Sequence, residues 1–325
     1  MQEETRMKLV VLDGYLVGTG GLDWSPLSDF GEFVYYDLTT GEDDVAGRIG
    51  DADIAFSNRC PITADTIERC PNLKLIVSFG TGYNQIALET ATARGIKVCN
   101  VPGYGSGAVA QMTIALMMEV VRQTSVFNDY VKTHGWLDAV DPHICAIRQF
   151  ELTGKTIGIV GLGDIGYAVA KVCMAMDMNV LAYNRNPRWE LECNRLRFTD
   201  LDTLLAQSDI VSLHCPLTDQ TRGLINAERL AKMKDGAILL NTSRGAVLDE
   251  QAVVDALNSG KLYAVGADVF ATEPCGKDHL LAAHPRCVAT PHVAWSPEET
   301  RARVIRIAAD DVQSFLNGES LNVVN

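Results

Sequence analysis

TIGIVGLGDIG, residues 156–166, is the stretch whose reading decides the fold. Ile157, Ile159 and Val160 are β-branched and read as a short buried strand. The run then breaks into Gly161-x-Gly163-x-x-Gly166. Glycines at this spacing permit a tight turn, close approach of backbone to a pyrophosphate, and close helix–strand contact. A helix starting near Asp164 would direct its free N–H groups and positive dipole end at that phosphate. The glycines alone say little, because a chain with 27 Gly in 325 residues holds about 0.2 such spacings by chance. Their context says more. Ile165, Ala168, Val169 and Val172 follow at the spacing of one helix face, and a second strand, Asn179–Tyr183, arrives where a ribose-reading residue belongs. Together these predict a dinucleotide site.

Downstream of this unit the same alternation continues. Strands are expected at 209–214, 237–242, 264–269 and 287–291, with helical segments at 165–176, 200–207, 226–233 and 249–258. Upstream, strands are expected at 7–13, 33–36, 53–57, 75–79 and 97–101, with helical patterns at 62–70 and 86–94. Such alternation argues for parallel sheets with crossover helices, hence an α/β chain of two doubly wound domains. Val101-Pro102-Gly103-Tyr104-Gly105 reads as a hinge, and the apolar run 109–121 as a long buried helix too short to span a bilayer. Residues 126–150, with Trp136, Pro142 and His143, show no clean period and read as an arm. Glu298–Leu316 is amphipathic and is expected to return to the first unit.

Bulk properties narrow the function. Apolar residues make up 47% and charged residues 21%, as in ordinary globular proteins. A net charge of −13 repels nucleic acid and anionic lipid, so neither is expected as a partner. The start, MQEETRMKLV, carries acidic residues and no apolar core, which is unlike a signal peptide. Nine scattered cysteines without a C-x-x-C pair fit reduced thiols in a cytoplasm, with no metal site expected.

Three strand ends carry the polar residues of a carbonyl-reduction site. Asn241-Thr242-Ser243-Arg244-Gly245 follows one strand, Asp268 and then Glu273-Pro274 follow the next, and Thr290-Pro291-His292 follows a third. Arg244 offers a forked cation for a carboxylate and a keto oxygen. His292 can deliver a proton to that oxygen, and Glu273 would hold the ring and favour its charged form. His214 also ends a strand, but its apolar surroundings suit a cofactor wall, and His134, His143, His279 and His284 read as surface loop residues. After the strand 75–79, Gly80-Thr81-Gly82 exposes amides that could hold a small anion. At the end of the second strand stands Asn184, where NAD enzymes usually place Asp or Glu, with Arg185 and Arg188 nearby. The missing carboxylate and the two cations favour NADP(H) among the NAD(P)(H) cofactors.

The segments LTGKTIGIVGLGDIG, VSLHCPLTDQTRGLIN, LLNTSRGAVLDEQAVVDAL, GADVFATEP and TPHVAW, in this order, resemble the D-isomer-specific 2-hydroxyacid dehydrogenases over nearly the whole chain. GTGYN, NVPGYG, VAQMTIAL and the HVAW ending look most like the glycerate dehydrogenases, or hydroxypyruvate reductases, of that family. The resemblance implies a Rossmann-type cofactor domain, 104–293, inserted in a flavodoxin-like substrate domain, 1–103 with 294–325, and a homodimer formed through the cofactor domain. It implies Arg244, Glu273 and His292 as the catalytic trio. Thr81 and Gly82 would hold the substrate carboxylate, and Trp295 beside His292 would narrow the site. The cofactor would meet Thr113, Gly161, Gly163, Asp164, Ile165, Gly166, Asn184, Arg185, Cys215, Pro216, Thr242 and Asp268. The expected reaction is reduction of hydroxypyruvate to D-glycerate, with glyoxylate second. The alternatives are a D-lactate or other D-2-hydroxyacid dehydrogenase, and a nucleotide-sensing binding protein on the same fold. Asp164, Met112 and Cys275-Gly276 depart from the usual pattern.

Overall fold

A computed structural model of the chain describes residues 6–136 and 142–325, leaving the side chains of Asp43, His143 and Cys145 undescribed. The expectation for His143, and that for the first five residues, therefore lie outside the described residues. The chain divides into two compact units, 1–105 with 295–325, and 106–294.

The first unit runs β1 (Met7–Val11), α1 (Tyr15–Gly18), α2 (Ser25–Ser28), β2 (Gly31–Tyr35), α3 (Glu42–Ile49), β3 (Ile54–Ser57), α4 (Ala64–Arg69), β4 (Leu75–Ser78), α5 (Leu88–Ala93) and β5 (Lys97–Cys99). Its five strands are all parallel, in the order β2-β1-β3-β4-β5, which is the flavodoxin-like order. β3 and β4 are buried at every position, as strands covered on both faces must be.

The second unit begins with α6 (Ser106–Arg122), α7 (Thr124–His134) and α8 (Pro142–Ala146). It continues β6 (Thr156–Val160), α9 (Asp164–Ala175), β7 (Asn179–Tyr183), β8 (Leu196–Phe198), α10 (Leu201–Gln207), β9 (Ile210–Leu213), α11 (Ala227–Lys232), β10 (Ala237–Asn241), α12 (Glu250–Ser259), β11 (Leu262–Ala267) and β12 (Cys287–Ala289). The seven parallel strands lie in the order β12-β11-β10-β9-β6-β7-β8. The chain winds one way from β6 to β8 and the other way from β9 to β12, so the strand order reverses between β6 and β9, where such sheets bind ligands beyond their carboxyl ends. Ile157, Ile159, Leu240, Met117 and Val169 share one apolar cluster, and Val160, Leu213, Leu239 and Val265 another. The last helix, α13 (Glu298–Leu316), belongs to the first unit and packs Val304, Ile305, Ala308 and Val312 against Leu9, Phe56 and Val77.

Both parallel sheets were expected, and both are found. Three local readings are corrected. β8 went unread because three residues, Leu-Arg-Phe, are too few to display a period. Part of the arm is the helix α7, none of whose residues is buried. On α9 the buried face is Gly166, Val169, Ala170 and Cys173, while Val172 is 41% exposed.

Candidate active site

The turn after β6 is built by its glycines. Gly161 has φ +99, and a Cβ there would lie 2.7 Å from the Cys215 amide nitrogen and 2.9 Å from the His214 carbonyl oxygen. A Cβ at Gly166 would lie 2.3 Å from the Gly161 carbonyl oxygen, so only glycine lets α9 start this close to β6. Gly163 is extended and would point a Cβ into open space. The N–H of Tyr167 donates to the Gly163 carbonyl (2.8 Å), which leaves the amides of Asp164, Ile165 and Gly166 free at the head of α9. Asp164 is exposed and accepts no capping bond.

Asn184 is not left open at the end of β7. Its Oδ1 accepts from the N–H of Leu162, and its Nδ2 donates to the Leu162 carbonyl (3.3 Å), so the side chain clamps the glycine turn. Arg185 is exposed and has no ion pair or hydrogen bond among the described residues. Arg188, in contrast, is paired with Glu190 at 3.2 Å.

After β9, His214 bonds Ser212 Oγ through Nε2 at 2.8 Å. Its Nδ1 is buried without a partner among the described residues. Burial pushes its pKa down to about 4, so the ring is neutral near pH 7. Cys215 is buried, and burial pushes its thiol up to about 11, which makes it inert as a nucleophile. Thr113 of α6 donates to or accepts from Thr242 at the end of β10 (2.8 Å), and both are buried.

Three neighbouring strand ends carry the trio. Asn241 shapes the turn after β10: its Oδ1 accepts from the Ser243 N–H (3.1 Å) and hydroxyl (2.9 Å), and its Nδ2 donates to the Arg244 carbonyl (3.0 Å). Arg244 is exposed, with Nη1 donating to the Ser243 carbonyl (2.7 Å). A Cβ at Gly245 would lie 1.8 Å from the Phe270 carbonyl carbon. Glycine there seats the Arg244 turn directly on the loop after β11. In that loop Glu273 accepts from the Phe270 N–H through Oε1 (3.0 Å) and binds His292 Nδ1 through Oε2 (2.6 Å). Glu273 and His292 are 27% and 29% exposed. With Nδ1 committed to Glu273, Nε2 is the nitrogen left to serve a reacting oxygen.

His292 itself has φ +55, a left-handed backbone that histidine tolerates better than most residues. Asp268 holds it there. Buried to 1%, its carboxylate accepts from the Thr290 hydroxyl (2.5 Å) and from the N–H groups of Val293 and Ala294 (2.9 Å each). Asp268, expected as a cofactor contact, is thus also the anchor of the histidine loop. Asn241 and Asp268 in this positioning role were missed by sequence reading. The Asn two residues before Ser243 was an available signal for the first.

In the first unit the N–H groups of Thr81 and Gly82 make no hydrogen bond among the described residues. The turn is fixed around them by Ser78 Oγ donating to the Gly82 carbonyl (2.7 Å) and Asn100 Nδ2 donating to the Thr81 carbonyl (2.8 Å). Trp295 is corrected: it is 7% exposed, sits in the core of the first unit and packs edge-on to Tyr104 at 6.3 Å, so it offers a ligand little surface. His134 closes α7 and is exposed. His279, read as a surface residue, is 12% exposed and paired with Glu250.

Free amides after β6 suit a dinucleotide, and the groups after β10, β11 and β12 suit carbonyl reduction; together they define a nicotinamide-dependent oxidoreductase. Residues 114–294 match the family model "D-isomer specific 2-hydroxyacid dehydrogenase, NAD binding domain". The chain belongs to the D-isomer-specific 2-hydroxyacid dehydrogenases. It is 44% identical to a hydroxypyruvate reductase of Blautia hydrogenotrophica, over 98% of this chain and 100% of that one. It is 42% identical to a glyoxylate reductase of Thermofilum pendens, over 79% of this chain and 76% of the relative. Among solved structures, an acyclic imino acid reductase (Bsp5) in complex with NADPH and D-Arg superposes with a TM-score of 0.85 and 28% identity, covering 98% of this chain and 100% of that one. No helix among the described residues is long and apolar enough to cross a membrane.

Proposed function

We propose that the protein reduces small 2-ketoacids to D-2-hydroxy acids, hydroxypyruvate first and glyoxylate second, with NADP(H) preferred over NAD(H). The observation that carries the reading is the 2.6 Å contact of Glu273 with His292 Nδ1, on a loop pressed against the Arg244 turn. The relatives named above as hydroxypyruvate and glyoxylate reductases support the choice of substrate.

The residues fit a dinucleotide. Amides 164–166 are free, the space over Gly163 is open, and the orphaned His214 Nδ1 asks for a partner. The bound cofactor supplies the hydride. Arg244 binds the ketoacid carboxylate and steadies the keto oxygen as charge develops on it. His292 gives the proton from Nε2, and Glu273 keeps the ring oriented and stabilises its protonated form before transfer.

NADP(H) preference rests on Arg185. Asn184 is occupied by the glycine turn and brings no negative charge, and Arg185 is free to pair with a 2′-phosphate, whereas Arg188 is engaged by Glu190. The exposed helix α7, with Val126 and Val131 at 44% and 42% exposure, and Trp136 just beyond it at 89%, support a homodimer formed through this arm. Eight described cysteines, none in a disulfide, support a cytoplasmic location. The test is kcat/KM for two- to six-carbon 2-ketoacids with NADPH and NADH separately. Arg185→Ala should lower kcat/KM for NADPH and leave NADH nearly unchanged. Preference for phenylpyruvate would overturn the substrate assignment, and higher kcat/KM with NADH together with an indifferent Arg185→Ala would overturn the cofactor assignment.

A further inference from the structure

We infer that Glu250 and His279 form a second carboxylate–histidine pair that positions the catalytic one, a role resting on the assignment of Glu273 and His292 above. Glu250 opens α12, immediately after the Asp249 cap. Its Oε1 accepts from the Ala271 N–H at 2.9 Å, and its Oε2 lies 3.3 Å from His279 Nε2. The two side chains are only 10% and 12% exposed. His279 Nδ1 accepts from the Ala282 N–H at 3.3 Å, so the ring proton sits on Nε2 and is donated to Glu250. Both nitrogens are therefore committed. His292 differs in having Nε2 without a partner among the described residues, which is why the Glu250–His279 pair is built as a support and the Glu273–His292 pair as an acid.

The support acts on the two peptides that flank Phe270. Glu250 takes the N–H of Ala271, and Glu273 takes the N–H of the preceding residue, Phe270. The Phe270 ring packs edge-on to the His279 ring at 5.3 Å. Gly245 lies against the carbonyl of the same Phe270. Phe270 is thus the residue where the Arg244 turn, the Glu273 carboxylate and the Glu250–His279 pair meet. If Ala271 loses its acceptor, the peptide after Phe270 is no longer pinned, the Phe270 backbone shifts with it, and its N–H no longer fixes Glu273 against His292 Nδ1. Titratable groups near the pair include Asp249 and Asp278, its chain neighbours, and Cys275 and Cys287, the latter at the head of β12. Burial, then Glu250 and Cys275, pushes the Cys287 thiol up to about 12, out of the assay range.

The experiment compares Glu250→Ala, Glu250→Gln and His279→Ala with the unaltered enzyme, using saturating cofactor and hydroxypyruvate over pH 5.5–9.5 and 25 °C. Displacement of a catalytic group by about an ångström costs up to 10²-fold, so Glu250→Ala should lose roughly ten- to hundredfold in kcat with the cofactor KM unchanged. Its falling pH limb should move to lower pH, because Glu273 then supports protonated His292 less well. Glu250→Gln keeps an oxygen for Ala271 and should recover most of kcat. Should Glu250→Ala fail to fold, His279→Ala carries the test with a smaller loss and the same direction of limb movement. A variant that melts earlier yet keeps kcat within twofold and its pH limb in place would reduce the pair to scaffolding and overturn the inference. His292→Ala is run alongside. If it retains turnover, the catalytic assignment itself fails; if it is inactive while the Glu250 and His279 limbs stay put, only the positioning role fails.

Discussion

Asp311→Asn should stabilise the protein at pH 8 and lose that advantage as the pH falls toward 4. Asp311 sits on α13 with 1% exposure. Its Oδ1 accepts from Asn322 Nδ2 at 2.8 Å, while Oδ2 is buried without a partner among the described residues. Burial raises its pKa from 3.8 to about 7, the Asn322 bond opposing and Asp310 adding to the rise. Below pH 4 the carboxyl is protonated in both folded and unfolded chains. Between pH 4 and 7 the unfolded chain ionises while the folded one keeps its proton. The stability this group contributes is therefore complete below 3.8 and lost as the pH rises through about 7. That interval sets a ceiling of about 4 kcal/mol. Relaxation of the site around the charged form brings this to about 2 kcal/mol, or roughly 4–8 °C in Tm. Asparagine has nearly the same shape, still accepts from Asn322 and never ionises. Thermal scans of both proteins at pH 5, 6.5 and 8 measure the gap. Hydrogen exchange in α13 assigns it to the first unit. A gap of constant size at all three values, or a variant less stable at pH 8, would refute the reasoning.

The site gives four further expectations. His292→Ala should lower kcat by about 10²–10⁴ with cofactor binding intact, and stopped-flow binding beside steady-state turnover separates the two. Glu273→Gln should move the falling limb of the pH–rate profile to lower pH, and an unmoved limb would detach Glu273 from the acid. Arg244→Ala should raise the ketoacid KM as well as lower kcat, since it meets the ground-state carboxylate too. Gly245→Ala must force a Cβ into the Phe270 carbonyl; denaturant titration should show a loss of about 2–4 kcal/mol, with kcat falling alongside it.

By itself the sequence determined the two α/β sheets and the glycine turn, because each leaves a local mark. Buried parallel strands are apolar nearly throughout, as in the first four residues of β10, and Gly161 and Gly166 stand where a side chain would collide with the next strand or the turn. Arg244 and His292 stand close after β10 and β12, whereas Glu273 lies in the loop beyond β11, so what pointed to the three as candidates was their joint occurrence after the glycine turn and the family resemblance. Only the tertiary structure decided what those marks connect to. Asn184 looks like a ribose contact until Leu162 is seen across the turn. Arg185 and Arg188 look equivalent until Glu190 claims one of them. Trp295 looks like part of a substrate wall until it is found in the core. His279 and Glu250 stand 29 positions apart in sequence and carry no shared pattern, yet β11 and α12 bring them onto one peptide. Periodicity and turn chemistry are properties of neighbouring residues, whereas a hydrogen-bond partner is fixed by which strands lie side by side, and that is set only when the sheet closes on its helices.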